Sequence, residues 1–112
     1  MTGRTAIYNA RLLDPASGLD TNGGILIENG LITDIGPTIT KTTAADVKID
    51  AKGKALAPGL IDLRVKTGEP GAENKETLET AGDAAAAGGV TTFIVMPDTD
   101  PVLDSVALVD FI

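Results

Sequence analysis

The sequence contains no cysteine and no histidine. Without cysteine, the chain forms neither a disulfide nor a thiolate zinc site. Without histidine, it lacks imidazole metal ligands and the base of a histidine-dependent triad, so a metal site made by this chain alone would consist of carboxylate and carbonyl oxygens. Aromatic residues make up only 3% of the 112 residues, so the core is expected to consist of aliphatic side chains and alanine.

Clustered cations and long apolar stretches are missing as well. The formal net charge is −7 without any run of Lys or Arg, which argues against nucleic acid as a partner, because phosphate backbones are bound by clustered cations. No apolar stretch approaches the ~20 residues of a membrane-spanning helix, and the N-terminal sequence lacks a signal-peptide pattern. We therefore expect a cytoplasmic protein that binds neither nucleic acid nor membrane.

The first half of the chain, residues 1–57, has the pattern of a small all-β domain. Asn29-Gly30 separates two β-rich segments, and this pair is favoured in the type I′ turns of hairpins. Strands bounded by turn residues are predicted at 5–13, on both sides of the turn within 24–36, and on both sides of Lys52-Gly53 within 46–59.

The second half, residues 58–112, alternates strands with helices. Strands are predicted at 60–65 and 90–96, a helix at 74–87 between them, and a short last helix that begins near Val106 and is capped by Asp104 or Ser105. The β-α-β order predicts parallel strands joined by a right-handed crossover. Two parallel strands leave their faces and edges open, so we expect the chain to be the front part of a larger protein or to gain cover by self-association.

Three charged side chains share one face at the end of the first of these strands. Asp62, Arg64 and Lys66 occupy alternate positions, and alternate side chains of a strand point the same way. One interpretation of the two cations is an anion-binding site. The other is a pair of side chains that fill space and form ion pairs with Asp62, Glu69 or Asp98. We favour the second interpretation, because Gly68 and Asp98 add no further positive charge.

Residues 57–105, APGLIDLRVKTGEPGAENKETLETAGDAAAAGGVTTFIVMPDTDPVLDS, resemble the start of dihydroorotases of the amidohydrolase superfamily. Those enzymes carry PGLIDLHVHLREPG on the first barrel strand, then a helix that ends in AAAGGVTT, then MPNTNP. The resemblance implies an α/β fold with an N-terminal all-β part. In that fold, residues 1–57 are a small β-sandwich portion, and residues 58–112 are the first two βα units of an incomplete TIM barrel.

The departures from the family pattern fall on its chemistry. Arg64 and Lys66 stand where the resemblance places two zinc-binding histidines. Gly68 replaces an arginine that binds the substrate carboxylate, and Asp98 replaces an asparagine that contacts substrate. Arginine has no free lone pair, and lysine offers one only after losing its proton. We therefore predict that the chain is inactive, with no catalytic residue, no metal site and no cofactor.

Three functions stay open at this point. The first is a pseudoenzyme of pyrimidine biosynthesis that acts as a structural partner of aspartate transcarbamoylase, a role that the resemblance implies. The second is a cyclic-amide hydrolase whose working site uses ligands beyond residue 112. The third is a sensor that binds a small anion at Arg64 and Lys66.

Overall fold

The computed structural model describes residues 3–112, and the chain divides into two compact units. The first unit ends at Pro58 and the second begins at Gly59. Met1 and Thr2, which belong to the predicted β-sandwich portion, lie outside the described residues.

The first unit contains one five-stranded sheet, and its strands are β1 Arg4–Asp14, β2 Leu19–Glu28, β3 Leu31–Gly36, β4 Val47–Asp50 and β5 Ala55–Leu56. Their order in the sheet is β3-β2-β1-β4, with β5 also paired to β1. The strands β1 to β3 form an antiparallel meander, whereas β4 and β5 run parallel to β1.

Two turns of this sheet lie where the sequence predicts them. Asn29 and Gly30 have φ angles of 52° and 76° and join β2 to β3, as expected for a type I′ hairpin turn. Lys52 and Gly53, with φ angles of 53° and 77°, join β4 to β5. Because both of these strands run parallel to β1, the second turn interrupts one sheet edge instead of reversing the chain.

Small aliphatic clusters on the two faces of the sheet form the core of the first unit. Ala6 pairs with Leu26 across the β1–β2 ladder, and both pack with Ile39 on one face. Neighbouring strand residues point to opposite faces, so Ile25 lies on the other face, where it packs with Leu12, which is 1% exposed. The core is aliphatic, as the composition predicts.

The second unit contains the parallel pair that the β-α-β pattern predicts. The strands are β6 Leu60–Val65 and β7 Val90–Val95, and the helices are α1 Leu78–Ala87 and α2 Val106–Phe111. Ser105 caps α2, because its hydroxyl accepts a hydrogen bond from Leu108 N. Within residues 3–112, no helix is long and apolar enough to cross a membrane.

The predicted start of the first helix is wrong by four residues. It was placed at residue 74, but α1 begins at Leu78, with Thr77 as its N-cap. The Thr77 hydroxyl accepts from Thr80 N, and the Thr80 hydroxyl accepts from Thr77 N, which completes a capping box. The sequence signal was weak because this box uses threonine where glutamate or glutamine is typical.

Candidate functional site

The four positions that depart from the family pattern all lie in the second unit, at or just beyond the carboxyl ends of its two strands. Arg64 lies on β6, and Lys66 and Gly68 follow that strand. Asp98 follows β7, whose pairing with β6 extends by one bond from Met96 N to Val65 O at 2.8 Å. Open parallel sheets and barrels bind their ligands at this edge.

Lys66 and Asp98 form an ion pair, with 2.7 Å between Lys66 Nζ and Asp98 Oδ2. The hydrogen bond from Lys66, assisted by its charge, lowers the pKa of Asp98, and the same hydrogen bond and the charge of Asp98 raise the pKa of Lys66. Both side chains are more than half exposed, at 66% and 54%. The predicted pairing of Lys66 with an acid is confirmed, and the partner is Asp98.

The predicted pairing of Arg64 with an acid is wrong. Within residues 3–112 the exposed Arg64 side chain forms no ion pair. Asp62 accepts a hydrogen bond from the main-chain N of Arg64 at 3.0 Å, because the two residues are close along the chain. The charge of Arg64 acts at longer range, as the smallest of the influences that lower the pKa of Asp98.

Glu69, the third candidate acid, holds the start of α1 instead. Its Oε2 accepts a hydrogen bond from Leu78 N at 2.8 Å. A carboxylate at a helix N-terminus satisfies a main-chain donor that has no partner within the helix, and it interacts favourably with the helix dipole. Sequence reasoning missed this contact because Glu69 precedes the helix by nine residues and belongs to no local capping motif.

The loops that follow the two strands are hydrogen-bonded to each other. Asp100 N, in the loop after β7, donates to Pro70 O, in the loop after β6, at 3.2 Å. Gly68 O accepts a hydrogen bond from Ala72 N at 2.6 Å, which turns the first loop back on itself. The four positions therefore lie on two loops that are joined through their main chains.

Arg64 and Lys66 do not fit a zinc ion. A zinc ligand must offer a lone pair, which the arginine guanidinium does not have. Lys66 is held in its protonated form by Asp98, so its nitrogen also has no free lone pair. In the described part of the chain, no group of three or more His, Cys, Asp or Glu side chains is placed to hold a metal ion.

Comparison with known proteins decides the family. The dihydro-orotase-like family model matches residues 53–112, more than half of the chain. This chain belongs to the dihydroorotase-like family. A dihydroorotase of Wolbachia sp. subsp. Drosophila simulans is 46% identical over 109 residues, which are 97% of this chain and 25% of the relative. One of Chlorobaculum tepidum is 51% identical over 104 residues, 90% of this chain and 24% of the relative.

A solved structure supports the same fold. The L-hydantoinase (dihydropyrimidinase) of Arthrobacter aurescens superposes with a TM-score of 0.81 and 31% identity, over 93% of this chain and 23% of that chain. The predicted fold class is confirmed: a small β-sandwich portion is followed by the start of a TIM barrel. The chain spans about a quarter of the length of the curated relatives it matches.

Proposed function

We propose that this dihydroorotase-like chain belongs to pyrimidine biosynthesis, has lost its zinc- and substrate-binding residues, and acts as a structural partner of aspartate transcarbamoylase. One observation carries the proposal. Lys66, at a metal-ligand position of the family pattern, forms an ion pair with Asp98, at a substrate-contact position. Because the two opposite charges neutralise each other, Lys66 is not suited to bind zinc, and Asp98 is not suited to contact the substrate.

The scaffold around that pair supports a structural role. The family's Glu-Pro-Gly and Met-Pro segments are kept as Glu69, Pro70 and Gly71 and as Met96 and Pro97, and relatives above 40% identity cover nearly the whole chain. This chain keeps these scaffold segments, whereas the metal- and substrate-binding positions have changed. That combination is expected of a protein whose role depends on its shape and surface. The family resemblance, and no contact in this chain, suggests aspartate transcarbamoylase as the partner.

The test mixes the full-length protein that contains this chain with aspartate transcarbamoylase from the same organism. The mass is measured by size-exclusion chromatography with light scattering, and each protein is run alone as a reference. We expect one stable joint peak and far less than one zinc per chain by elemental analysis. Separate peaks would contradict the partner role. Stoichiometric zinc with dihydroorotase turnover would instead favour the hydrolase whose ligands lie beyond residue 112.

A second candidate function rests on Arg64. This side chain is exposed and forms no ion pair within residues 3–112, so it is available to a small anion in a sensor. Inorganic phosphate would then raise the melting temperature with concentration, because a ligand that binds only the folded state stabilises it. Arg64→Gln should abolish the rise, and chloride at equal ionic strength should not reproduce it. If phosphate raised the melting temperatures of the unchanged protein and of Arg64→Gln equally, the sensor would be contradicted.

A further inference from the structure

Gly68 lies closer to another part of the main chain than any side-chain-bearing residue could. A Cβ atom added at Gly68 would lie 2.5 Å from Ala72 O, nearer still to Glu76 O, and 3.0 Å from Glu76 N. All three are main-chain atoms, so no change of rotamer can relieve the overlap. Residues 72–76, which we call the 72–76 turn, therefore fill the space where a side chain at position 68 would begin.

Hydrogen bonds at both ends hold the 72–76 turn in this place. Ala72 N donates to Gly68 O at 2.6 Å, and Ala72 O accepts from Lys75 N at 2.9 Å. Beyond the turn, the bond from Leu78 N to the Glu69 carboxylate fixes the start of α1 to the residue next to Gly68. The turn is thus tied to the end of β6 on one side and to the helix on the other.

We propose that the 72–76 turn is a built-in plug. Its main chain fills the position where the family pattern has its carboxylate-binding arginine. The proposal rests on the proposed loss of the site and deepens it. Gly68 does not simply leave a vacancy, because main chain occupies the room that the arginine side chain needs. The carbonyl oxygens of Ala72 and Glu76 also present partial negative charge, which disfavours a substrate carboxylate there.

The second unit offers a matched control at Gly82 in α1. Apart from its chain neighbours and the backbone of its own helix, a Cβ atom added at Gly82 would meet no described atom within 4 Å, and neither Gly82 nor Gly68 has a left-handed backbone. Gly68→Ala and Gly82→Ala therefore add the same methyl group, with main chain in the way only at position 68, and at position 82 alanine also favours the helix. Trypsin cleavage after Lys75 reports opening of the turn, as does amide hydrogen exchange at Ala72 and Leu78.

We expect Gly68→Ala to speed both cleavage after Lys75 and exchange at Ala72 and Leu78 by at least about tenfold, which corresponds to about 1.4 kcal/mol. Gly82→Ala should leave both rates at or below those of the unchanged protein. Equal rates in the two variants would overturn the proposal. Gly68→Arg should open the turn at least as far as Gly68→Ala.

If Gly68→Ala fails to fold, exchange in the unchanged protein decides the question. Slow exchange at Ala72 and Leu78 supports the plug, and exchange as fast as in an unstructured peptide of the same sequence overturns it. Neither readout involves metal, substrate or a partner protein. A failure here is therefore distinct from a failure of the proposed function, which is measured by zinc content and by the mass of the complex.

Discussion

The two units of this chain bury their apolar side chains to very different degrees. Of the seven hydrophobic residues buried among residues 3–112, six lie in the first unit, and Ala81 alone lies in the second. The first unit thus gains stability from a small core of its own. The described contacts of the second unit are mainly the hydrogen bonds of the β6–β7 pair, the helix caps and the loops.

The difference is clearest on β6, which is apolar in sequence but exposed. Leu60, Ile61 and Leu63 are 62%, 64% and 72% exposed, and they include neighbours that point to opposite faces. Parallel strands with apolar residues on both faces normally occur in sheets that are covered on both sides. The composition of β6 therefore matches a more enclosed environment than residues 3–112 provide.

The sheet of the first unit is also open in places. Ile32, Ile35, Val47 and Ile49 are exposed by 46% to 61%, although the central strands bury their aliphatic side chains. A β-sandwich packs two sheets face to face, and the described part of the first unit supplies one. Both units have the family fold, but only the first has a recognisable hydrophobic core. The comparison teaches that adopting the fold does not by itself give a unit a core of its own.

The largest effect that this comparison predicts comes from truncating one leucine in each unit. Leu12→Ala removes the largest fully buried side chain among residues 3–112, and we expect it to lower the free energy of unfolding by about 2–5 kcal/mol. Leu63→Ala makes the same change at a side chain that is 72% exposed, so the expected change is within about 0.5 kcal/mol.

Urea unfolding, followed by tyrosine fluorescence and by far-UV circular dichroism, measures the stability change in both variants. Tyr8 lies on β1 and is the only tyrosine, in a chain without tryptophan, so its fluorescence reports on the first unit. Far-UV circular dichroism reports on both units. A large loss of stability from Leu63→Ala would show that β6 is buried in solution, by self-association or by another chain, and a dependence on protein concentration would identify self-association.

Most of the fold could be predicted from sequence, because its strongest signals are local. The Asn29-Gly30 hairpin needs only two residues with positive φ between β-rich segments, and the Ser105 cap lies next to the helix that it starts. The start of α1 was missed, because the acidic and helix-favouring residues before Thr77 resemble a first helical turn. These residues form the 72–76 turn instead, and that turn depends on contacts with Glu69 and Gly68. Both lie too far from the helix to enter a sequence window used to locate its start.

The candidate site shows the same limit. The family pattern identified Arg64, Lys66, Gly68 and Asp98 as the changed positions, but no pattern states which of them touch. Lys66 meets Asp98 because β6 and β7 are parallel and their loops leave the same edge, whereas Arg64 forms no ion pair in the part of the chain that the structure describes. The close approach at Gly68 is a main-chain distance, which a residue name does not encode.

The smallest predicted effect compares one exposed ion pair in each unit by titration. In the second unit, Lys66 lowers the pKa of Asp98, and in the first unit Arg11 lowers the pKa of Asp20 through a two-pronged contact at 2.9 Å and 2.7 Å. A lowered carboxyl pKa adds stability that is present above the ordinary value of about 3.9 and is lost as the pH falls through the folded-state value. The raised pKa of Lys66 adds stability that is present below about 10.4 and is lost as the pH rises through its folded-state value.

We therefore expect stability to be insensitive to both pairs between about pH 4 and 10. Carboxyl-carbon NMR should show the midpoint of Asp98 rising in Lys66→Gln and that of Asp20 rising in Arg11→Gln, with little loss of stability in either variant, because exposed pairs contribute little. The two carboxyls then act as controls for each other. If Asp20 responds and Asp98 does not, the Lys66–Asp98 pair is absent in solution, and the proposed function loses the observation that carries it.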